Sequence, residues 1–435
     1  MVYRNGESIA LLAFAAGASA IGISAFAGLG TGLRIGLLVL GLLLLGLAYW
    51  ALRIASRPHP HMRRHQVLRL DIAEIEARAR SGAPFELQLG RSRFELTVQP
   101  TPVADERAPL IVGRKAGEEA TAVTTGMVDD VITFAGKADG QERSEVRLTI
   151  TPIWLSLYVI VDDEWWFVEP MRRFRPEAAL DEYVAYRTSD LRFRLPVDRA
   201  AIAPPTADDD GSEDVHPIGP VIFVVMLHDR EYKGQAGDRV EHHQRALINQ
   251  VNGVFSQVGI EFRIAAFIDA SEFLLAGDAS TMLAQTKVAT RALWGDLRKR
   301  SERRRLRTEI ALATTGKWPT NGVAGIANSP GVFAVSYQWL LLAGGGPGTA
   351  ARLSYQNMMV TAHELGHCFD ATHDEADKWC VTHFITCWDY QRTLMWPELE
   401  HDTQPFFSNG SITPAHNNAQ RVRNNVATGR IRDFG

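Results

Sequence analysis

Cysteine is scarce in this chain: only Cys368, Cys380 and Cys387 occur among 435 residues. An odd number of cysteines in a long chain does not indicate a disulfide framework. The chain also has no large excess of either positive or negative charge. The net charge of −4 gives no bulk attraction to nucleic acid, so no nucleic-acid partner is expected. The hydrophobic share of 46% is ordinary for a globular protein, and the length leaves room for two soluble domains and further segments.

The segment from His363 to His373 carries three histidines and one glutamate at the spacing of a catalytic zinc site. Residues four apart on a helix lie on the same face, so His363 and His367 can bind one metal ion together. Glu364 follows the first ligand and can reach a water on the metal without binding the metal itself. Three protein ligands plus one water form the open arrangement of a hydrolytic centre. The pattern predicts one catalytic Zn²⁺ ion and a zinc peptidase.

These residues resemble the metzincin clan of zinc endopeptidases, whose motif is H-E-x-x-H-x-x-G-x-x-H. His363, Glu364, His367 and His373 match it, while Asp370 stands where the clan usually has glycine. That glycine turns the chain sharply out of the helix with positive φ. Aspartate tolerates left-handed backbone better than most residues, so the turn can still form. Asp374 after the third histidine is similar to the residue found in the reprolysin (adamalysin) and matrix-metalloprotease branches.

The resemblance implies roles for residues beyond the three ligands. Glu364 would be the general base, and Asp370 and Asp374 would be structural residues near the site. Met395 stands at a family-like distance for the methionine turn beneath the metal. An edge strand of the clan binds extended polypeptide substrate by β-augmentation. The candidate substrate ledge in this sequence comprises Gly322, Val323, Ala324, Gly325 and Ile326.

The predicted fold class is α+β. We expect a metzincin-like catalytic domain over residues 217–435, with a twisted, mostly parallel sheet, the zinc helix and a small C-terminal subdomain. The continuous apolar run at residues 221–227 is typical of a central strand. Apolar spacing predicts helices over residues 240–258 and 279–300, with strands at 260–264 and 309–314. The order of these elements is that of the metzincin N-terminal subdomain.

Residues 67–202 are predicted to form a β-rich domain, because apolar and polar residues alternate at 85–89, 94–98 and 146–150. The succession of strands resembles the propeptide-type domain of reprolysin-like enzymes. No cysteine precedes Cys368, so a thiolate from this domain cannot block the zinc. Residues 203–216 are an acidic, Pro- and Asp-rich linker, either a propeptide cleavage site or an uncut hinge.

The N-terminal residues 1–66 contain two long apolar runs, at about 8–30 and 35–52. Each is near the length that crosses a bilayer, which predicts a transmembrane helical hairpin and a lipid partner. A cleaved signal peptide or a buried hairpin of a soluble protein are the alternatives. Arginines follow the second run, which favours a bacterial inner-membrane protein whose soluble part faces the cytoplasm. The resemblance favours the other side, so an extracytoplasmic location stays open, as does pairing of Cys380 with Cys387.

Two other functions are compatible with the motif. The chain could be a membrane-anchored zinc-binding scaffold derived from a metzincin that no longer cleaves peptides. Asp370 favours this alternative, and the presence of Glu364 argues against it. A thermolysin-like enzyme with a downstream glutamate ligand, such as Glu398, would make His373 irrelevant.

Overall fold

The computed structural model describes most of the chain outside the N-terminus and several connecting segments. The described residues are 31–55, 58–59, 61–104, 108–116, 119–127, 130–161, 164–196, 221–300, 308–317, 323–338, 353–373, 394–395, 398–400 and 417–428. The first predicted membrane run and the linker at 203–216 lie outside these residues.

The N-terminal part folds as an eight-stranded antiparallel sheet in the order β1-β10-β9-β8-β7-β6-β3-β2. Strict alternation explains the strands: Phe85, Leu87 and Leu89 of β2 are buried, whereas the residues between them are exposed. The strands predicted at 85–89, 94–98 and 146–150 are confirmed. Their bounds are β1 Gln66–Arg69, β2 Phe85–Leu89, β3 Ser92–Pro100, β6 Ile132–Ala138, β7 Ser144–Ile150, β8 Leu155–Val161, β9 Glu164–Pro170 and β10 Glu182–Arg187.

A short helix, α2 (Ile72–Ser81), packs on the far end of this sheet against β2 and β3. It begins where the Asp71 side chain accepts a hydrogen bond from the Glu74 backbone N–H, and it ends at Gly82, which has a φ of 70°. The preceding helix, α1 (Thr31–Ala55), overlaps the second predicted membrane run.

Within the described part of the chain, no helix has the length and apolar character needed to cross a membrane. The predicted transmembrane hairpin therefore gains no support. The prediction rested on the length of two apolar runs, and run length alone does not separate a spanning helix from other apolar helices. The predicted location is not tested by any structural observation.

The C-terminal part is built on a seven-stranded sheet in the order β15-β16-β14-β12-β13-β4-β5. Pairing is parallel from β16 through β14, β12 and β13 to β4, and antiparallel at both edges. The predicted mostly parallel sheet is thus confirmed. Its bounds are β4 Pro109–Ala116, β5 Glu119–Met127, β12 Val221–His228, β13 Glu261–Asp269, β14 Ile310–Thr315, β15 Gly325–Ala327 and β16 Phe333–Tyr337.

Helices cover both faces of this sheet, which explains the continuous apolar run of β12. Val224 and Met226 pack in the core that contains the helix at Val240–Phe255 (α4), and Val225 and Leu227 pack in the core that contains the helix at Ala279–Arg300 (α5). The helices predicted over 240–258 and 279–300 are confirmed. The remaining elements are α3 Arg230–Ala236, α4 Val240–Phe255, α5 Ala279–Arg300, α6 Ser354–Cys368, α7 Asn418–Thr428, β11 Arg194–Pro196 and β17 Glu398–Glu400, the last two paired antiparallel.

One hairpin departs from the predicted division of the chain. β4 and β5 lie within the range assigned to the β-rich domain, yet β4 pairs in parallel with β13, with Leu110 opposite Phe267 and Val112 opposite Asp269. Nothing in the sequence of either strand indicates which of the two sheets it joins. The placement depends on pairing between residues about 150 positions apart.

Candidate metal centre

Helix α6 presents the first two histidines of the motif on one face. His363 and His367 are both buried, and their ring centroids are 4.7 Å apart. The helix is enclosed on all sides, because every residue from Ser354 to Cys368 is buried. A fully buried helix has little freedom to shift, so the two imidazoles are held in a fixed relation.

The chain leaves α6 through a Schellman-type turn centred on Asp370. The Asp370 N–H donates to the His367 carbonyl (2.9 Å), and the Ala371 N–H donates to the Gly366 carbonyl (3.0 Å). Asp370 has a φ of 66°, the one positive φ at a non-glycine residue in the described part of the chain. Aspartate thus adopts the left-handed conformation that glycine provides in the clan.

This turn brings the third histidine back to the other two. Nε2 of His367 lies 3.0 Å from Nε2 of His363 and 3.2 Å from Nε2 of His373. His363, His367 and His373 form a cluster whose potential ligand atoms all lie within 4.8 Å of one another. The structure therefore brings together the three residues that the sequence predicted as metal ligands.

Backbone carbonyls fix the tautomers of the two helical histidines. Nδ1 of His363 lies 2.8 Å from the Leu394 carbonyl, and Nδ1 of His367 lies 2.7 Å from the Ala371 carbonyl. A carbonyl only accepts hydrogen bonds, so each Nδ1 carries the proton and each Nε2 keeps its lone pair. The lone pairs converge on one point, which is the arrangement a metal-ligating imidazole needs.

Leu394 and Met395 form a turn next to the cluster. The role of Met395 as the methionine of a turn beneath a metal stays a prediction. Leu394 and Met395 are both buried in the core that contains α6, and the Leu394 carbonyl is the one that accepts from His363. The turn therefore supplies the carbonyl that orients the His363 ring.

Burial keeps the three imidazoles neutral. It lowers the pKa of His367 to about 3, with the neighbouring His373 adding to the effect. Burial, His367 and His373 lower the pKa of His363 well below its usual value, and burial lowers that of His373. Neutral imidazole is the form that binds a transition metal. Three neutral nitrogen donors fit Zn²⁺, which accepts nitrogen ligands in tetrahedral geometry.

Glu364 lies beside the first ligand and faces the edge strand. It is fully buried. Its carboxylate packs against Gly325 of β15, where an added Cβ would lie 2.3 Å from Glu364 Oε1. The predicted general base and the predicted substrate ledge are therefore in contact, although no sequence rule connects them.

The predicted ledge is an edge strand over part of its length. β15 is the end strand of the sheet and pairs antiparallel with β16, with Ile326 opposite Val335. Val323 and Ala324 precede it as buried non-strand residues, and Gly322 lies outside the described residues, as do Asp374, Cys380 and Cys387. Glu398 is part of β17, whereas the cluster of potential ligands found among the described residues consists of histidines.

Two asparagines of α7 support the turn and were not predicted. The buried Asn418 side chain both donates to the Thr372 carbonyl (2.8 Å) and accepts from the Thr372 N–H (3.0 Å). Asn425 donates to the Phe369 carbonyl (2.8 Å). Asparagine at a helical position carries no sequence signal for this task, because the contact joins residues far apart in the chain.

Comparison with known proteins gives one family match. The model of metallo-peptidase family M12 matches residues 221–408, a range that includes the three histidines, Glu364 and Met395. No curated protein matches the chain.

Two of the solved structures that resemble this chain are a metalloproteinase-II from Bacteroides fragilis and a chaperone–substrate complex. The first is 11% identical with a TM-score of 0.47, over 82% of this chain and 95% of the other. The second is 10% identical with a TM-score of 0.35, over 66% of this chain and 44% of the other. Both are distant likenesses, and neither bears on the reaction.

Proposed function

We propose that the chain is a zinc-dependent endopeptidase that hydrolyses peptide bonds, with Glu364 as general base. The observation that carries the proposal is the convergence of three Nε2 lone pairs next to a buried carboxylate. The match to metallo-peptidase family M12 supports the same class of reaction. His363, His367 and His373 would hold the metal, which when bound acidifies a water and polarises the scissile carbonyl.

The protein's own groups account for the proton transfers. Glu364 takes a proton from the attacking water and gives it to the nitrogen of the leaving amine. Its burial against Gly325 excludes bulk water and limits the rotamers of the side chain. The carbonyls of Leu394 and Ala371 hold the imidazoles in the tautomer that leaves Nε2 available. The carboxylate and the histidines are thus set in place before a substrate arrives.

The substrate in this proposal is an extended polypeptide aligned on β15. β15 is the end strand among the described strands of its sheet, and added strands bind to sheet edges through main-chain hydrogen bonds. The contact between Gly325 and Glu364 brings this edge directly beside the proposed base. A peptide lying on β15 would therefore pass the group that acts on its bond.

The alternative of a zinc-binding scaffold without activity rested on Asp370. Because Asp370 has the positive φ that glycine would supply, this residue gives no argument for a lost activity. Glu364 has no role in a purely structural zinc site. We therefore retain hydrolysis as the function.

The test compares Glu364→Gln with His373→Gln. Glu364→Gln is expected to keep one Zn²⁺ per chain and to lose turnover of a quenched fluorescent peptide by roughly 10²–10⁴-fold, because the amide cannot accept the proton. His373→Gln is expected to lose both zinc and turnover. Wild-type rates in the Glu364→Gln variant, measured with a metal content equal to that of the wild type, would falsify the proposed mechanism.

A further inference from the structure

The antiparallel sheet and the mostly parallel sheet are connected by a strand hairpin and by a common hydrophobic core. The hairpin β4–β5 leaves the antiparallel sheet between β3 and β6 and extends the mostly parallel sheet beyond β13. A single buried cluster includes Phe167 and Tyr158 from the antiparallel sheet together with Val224 of β12 and Leu365 of the zinc helix. Removing residues 61–196 would therefore take two strands out of the catalytic sheet and open its core.

Buried polar contacts join the antiparallel sheet to α4. The Asn249 side chain donates to the Leu148 carbonyl (3.0 Å) and to Thr149 Oγ1 (3.1 Å), and Gln250 Nε2 donates to Ser156 Oγ (2.9 Å). All five residues are buried, and Leu148 contributes its backbone carbonyl. Separation would leave Asn249 and Gln250 without these partners.

The helix α4 also approaches the sheet very closely at one glycine. A Cβ added to Gly253 would lie 1.2 Å from the Tyr158 hydroxyl oxygen. That hydroxyl donates to the Gln250 carbonyl (3.2 Å), and Tyr158 is fully buried. Such contact requires a side chain of fixed position on the sheet and no side chain on the helix, which is the packing of one folded unit.

Glu169 of β9 connects the antiparallel sheet to the helix that bears the metal ligands. Its fully buried carboxylate accepts a hydrogen bond from the Ser354 N–H (2.8 Å) at the first residue of α6. Arg173 forms an ion pair with Glu169 and donates to Ser354 Oγ (2.6 Å). Tyr186 donates its hydroxyl to the same carboxylate. A negative group at a helix N-terminus satisfies a backbone donor and complements the helix dipole.

We propose that residues 61–196 are a permanent half of the folded protein rather than a propeptide released on activation. In this arrangement Glu169 is the positioning residue through which the antiparallel sheet holds the first turn of the zinc helix. The Zn²⁺ content and Zn²⁺ affinity measured below rest on the proposed function, whereas fragment elution and the thermal midpoint do not. Activation of the protein then does not involve loss of the β-rich segment, and cleavage in the 203–216 linker leaves a nicked but complete molecule.

The first experiment introduces a specific protease site between residues 203 and 216 of the full chain. After complete cleavage, the two fragments are expected to elute together in size-exclusion chromatography and to keep the Zn²⁺ content of the uncut protein. Elution of a separate fragment of about residues 210–435 that still binds Zn²⁺ would overturn the proposal. If uncut wild type binds no Zn²⁺, the proposed function fails, while the elution result still decides whether the halves separate.

The second experiment compares Glu169→Gln with Glu164→Gln, which makes the same change on the same strand. Glu164 is a matched control because its side chain is half exposed and pairs with Arg187, away from α6. Glu169→Gln is expected to lower the thermal midpoint by about 5–10 °C, because Arg173, whose side chain is only 11% exposed, loses its charged partner. A roughly tenfold weaker Zn²⁺ affinity, measured by chelator competition at 20 °C, is expected as well.

A purely structural role of Glu169 would lower the thermal midpoint and leave the Zn²⁺ affinity of the folded protein unchanged. That result would remove the positioning role. Glu169→Asp keeps the charge and is expected to recover part of the Zn²⁺ affinity. No recovery in this variant, at a thermal midpoint near that of wild type, would also count against positioning through the carboxylate.

Discussion

Asp370 shows how one residue can serve a backbone position usually reserved for glycine. Its φ of 66° costs a side chain with Cβ about 1–2 kcal/mol, and aspartate is among the residues that bear this best. Its side chain is only half-buried, so no packing demand accompanies the backbone demand. The turn requires the left-handed backbone conformation at position 370, and it does not require the carboxylate of Asp370.

Asp370→Gly is therefore expected to leave the zinc affinity unchanged and to raise the free energy of unfolding by up to about 1 kcal/mol. Asp370→Val should lower the free energy of unfolding by about 2 kcal/mol, because a β-branched residue is strained at positive φ. Urea unfolding with Zn²⁺ titration checks both variants. A Val variant as stable as wild type would show that the turn changes its backbone conformation.

Asn418 fixes the segment that carries His373 through two hydrogen bonds to one backbone unit. Asn418→Ala is expected to lower Zn²⁺ affinity roughly tenfold, in the range usual for residues that orient metal ligands. Asn424→Ala is the control, since the same residue type stands exposed on the same helix. Competition with a coloured chelator measures the effect. Equal affinities in the two variants would mean that His373 holds its position without Asn418.

At the scale of elements, strand β15 and helix α6 are in contact at Gly325. The glycine has no conformational reason for being there, because its backbone is that of an ordinary strand residue paired with Ser336. Glycine is required at position 325 because the Glu364 side chain occupies the space that a Cβ would fill. Atoms of the Glu364 side chain would lie 2.3–2.6 Å from an added Cβ.

Gly325→Ala is expected to reduce turnover by roughly 10–100-fold, because the Glu364 carboxylate must move away from its working position. Zn²⁺ content should stay at the wild-type level, since the three atoms nearest to the added Cβ all belong to the Glu364 side chain. Gly126→Ala on β5 is the control, as its new Cβ meets only Leu110 at 3.9 Å. Unchanged turnover in Gly325→Ala, at full metal content, would contradict the assigned role of Glu364.

At the scale of the whole molecule, burial of neutral histidines makes stability depend on pH. His228 at the end of β12 is 3% exposed, and burial lowers its pKa to about 4. In the unfolded chain the pKa of histidine is about 6.5, so the unfolded state binds the proton first as pH falls. The contribution of His228 is therefore complete above pH 6.5 and is lost progressively between about pH 6.5 and pH 4.

Over that window the loss amounts to about 3 kcal/mol, at about 1.4 kcal/mol for each pH unit. In chelator-treated protein, His228→Gln should lose less stability than wild type between pH 7 and pH 4.5. Urea unfolding at several pH values measures the two slopes. Chelator treatment matters because protonation of the metal ligands would otherwise add its own pH dependence. Parallel slopes would show that His228 titrates equally in both states.

The predictions of a membrane hairpin and of a propeptide also concern the whole molecule, but they were inferred from the sequence alone. Both were read from local features, an apolar run and a strand succession, and neither feature fixes what the segment packs against. Helix α1 exposes large apolar side chains such as Leu42 and Leu43. Over its described residues, however, it lacks the length and apolar character needed to cross a membrane. The β-rich segment is predicted correctly as strands but not in the partners that those strands choose.

The sequence by itself determined the local features of this protein. The histidine spacing, the alternation in β2 and the two-sided apolar run of β12 each depend on neighbours within one element, so periodicity and motif were enough to predict them. The tertiary structure decided the contacts between distant segments. The pairing of β4 with β13, the hold of Glu169 on α6, the Asn418 support of the turn and the contact of Gly325 with Glu364 all join residues far apart in the chain. Their free energy depends on packing and burial, which no local pattern records.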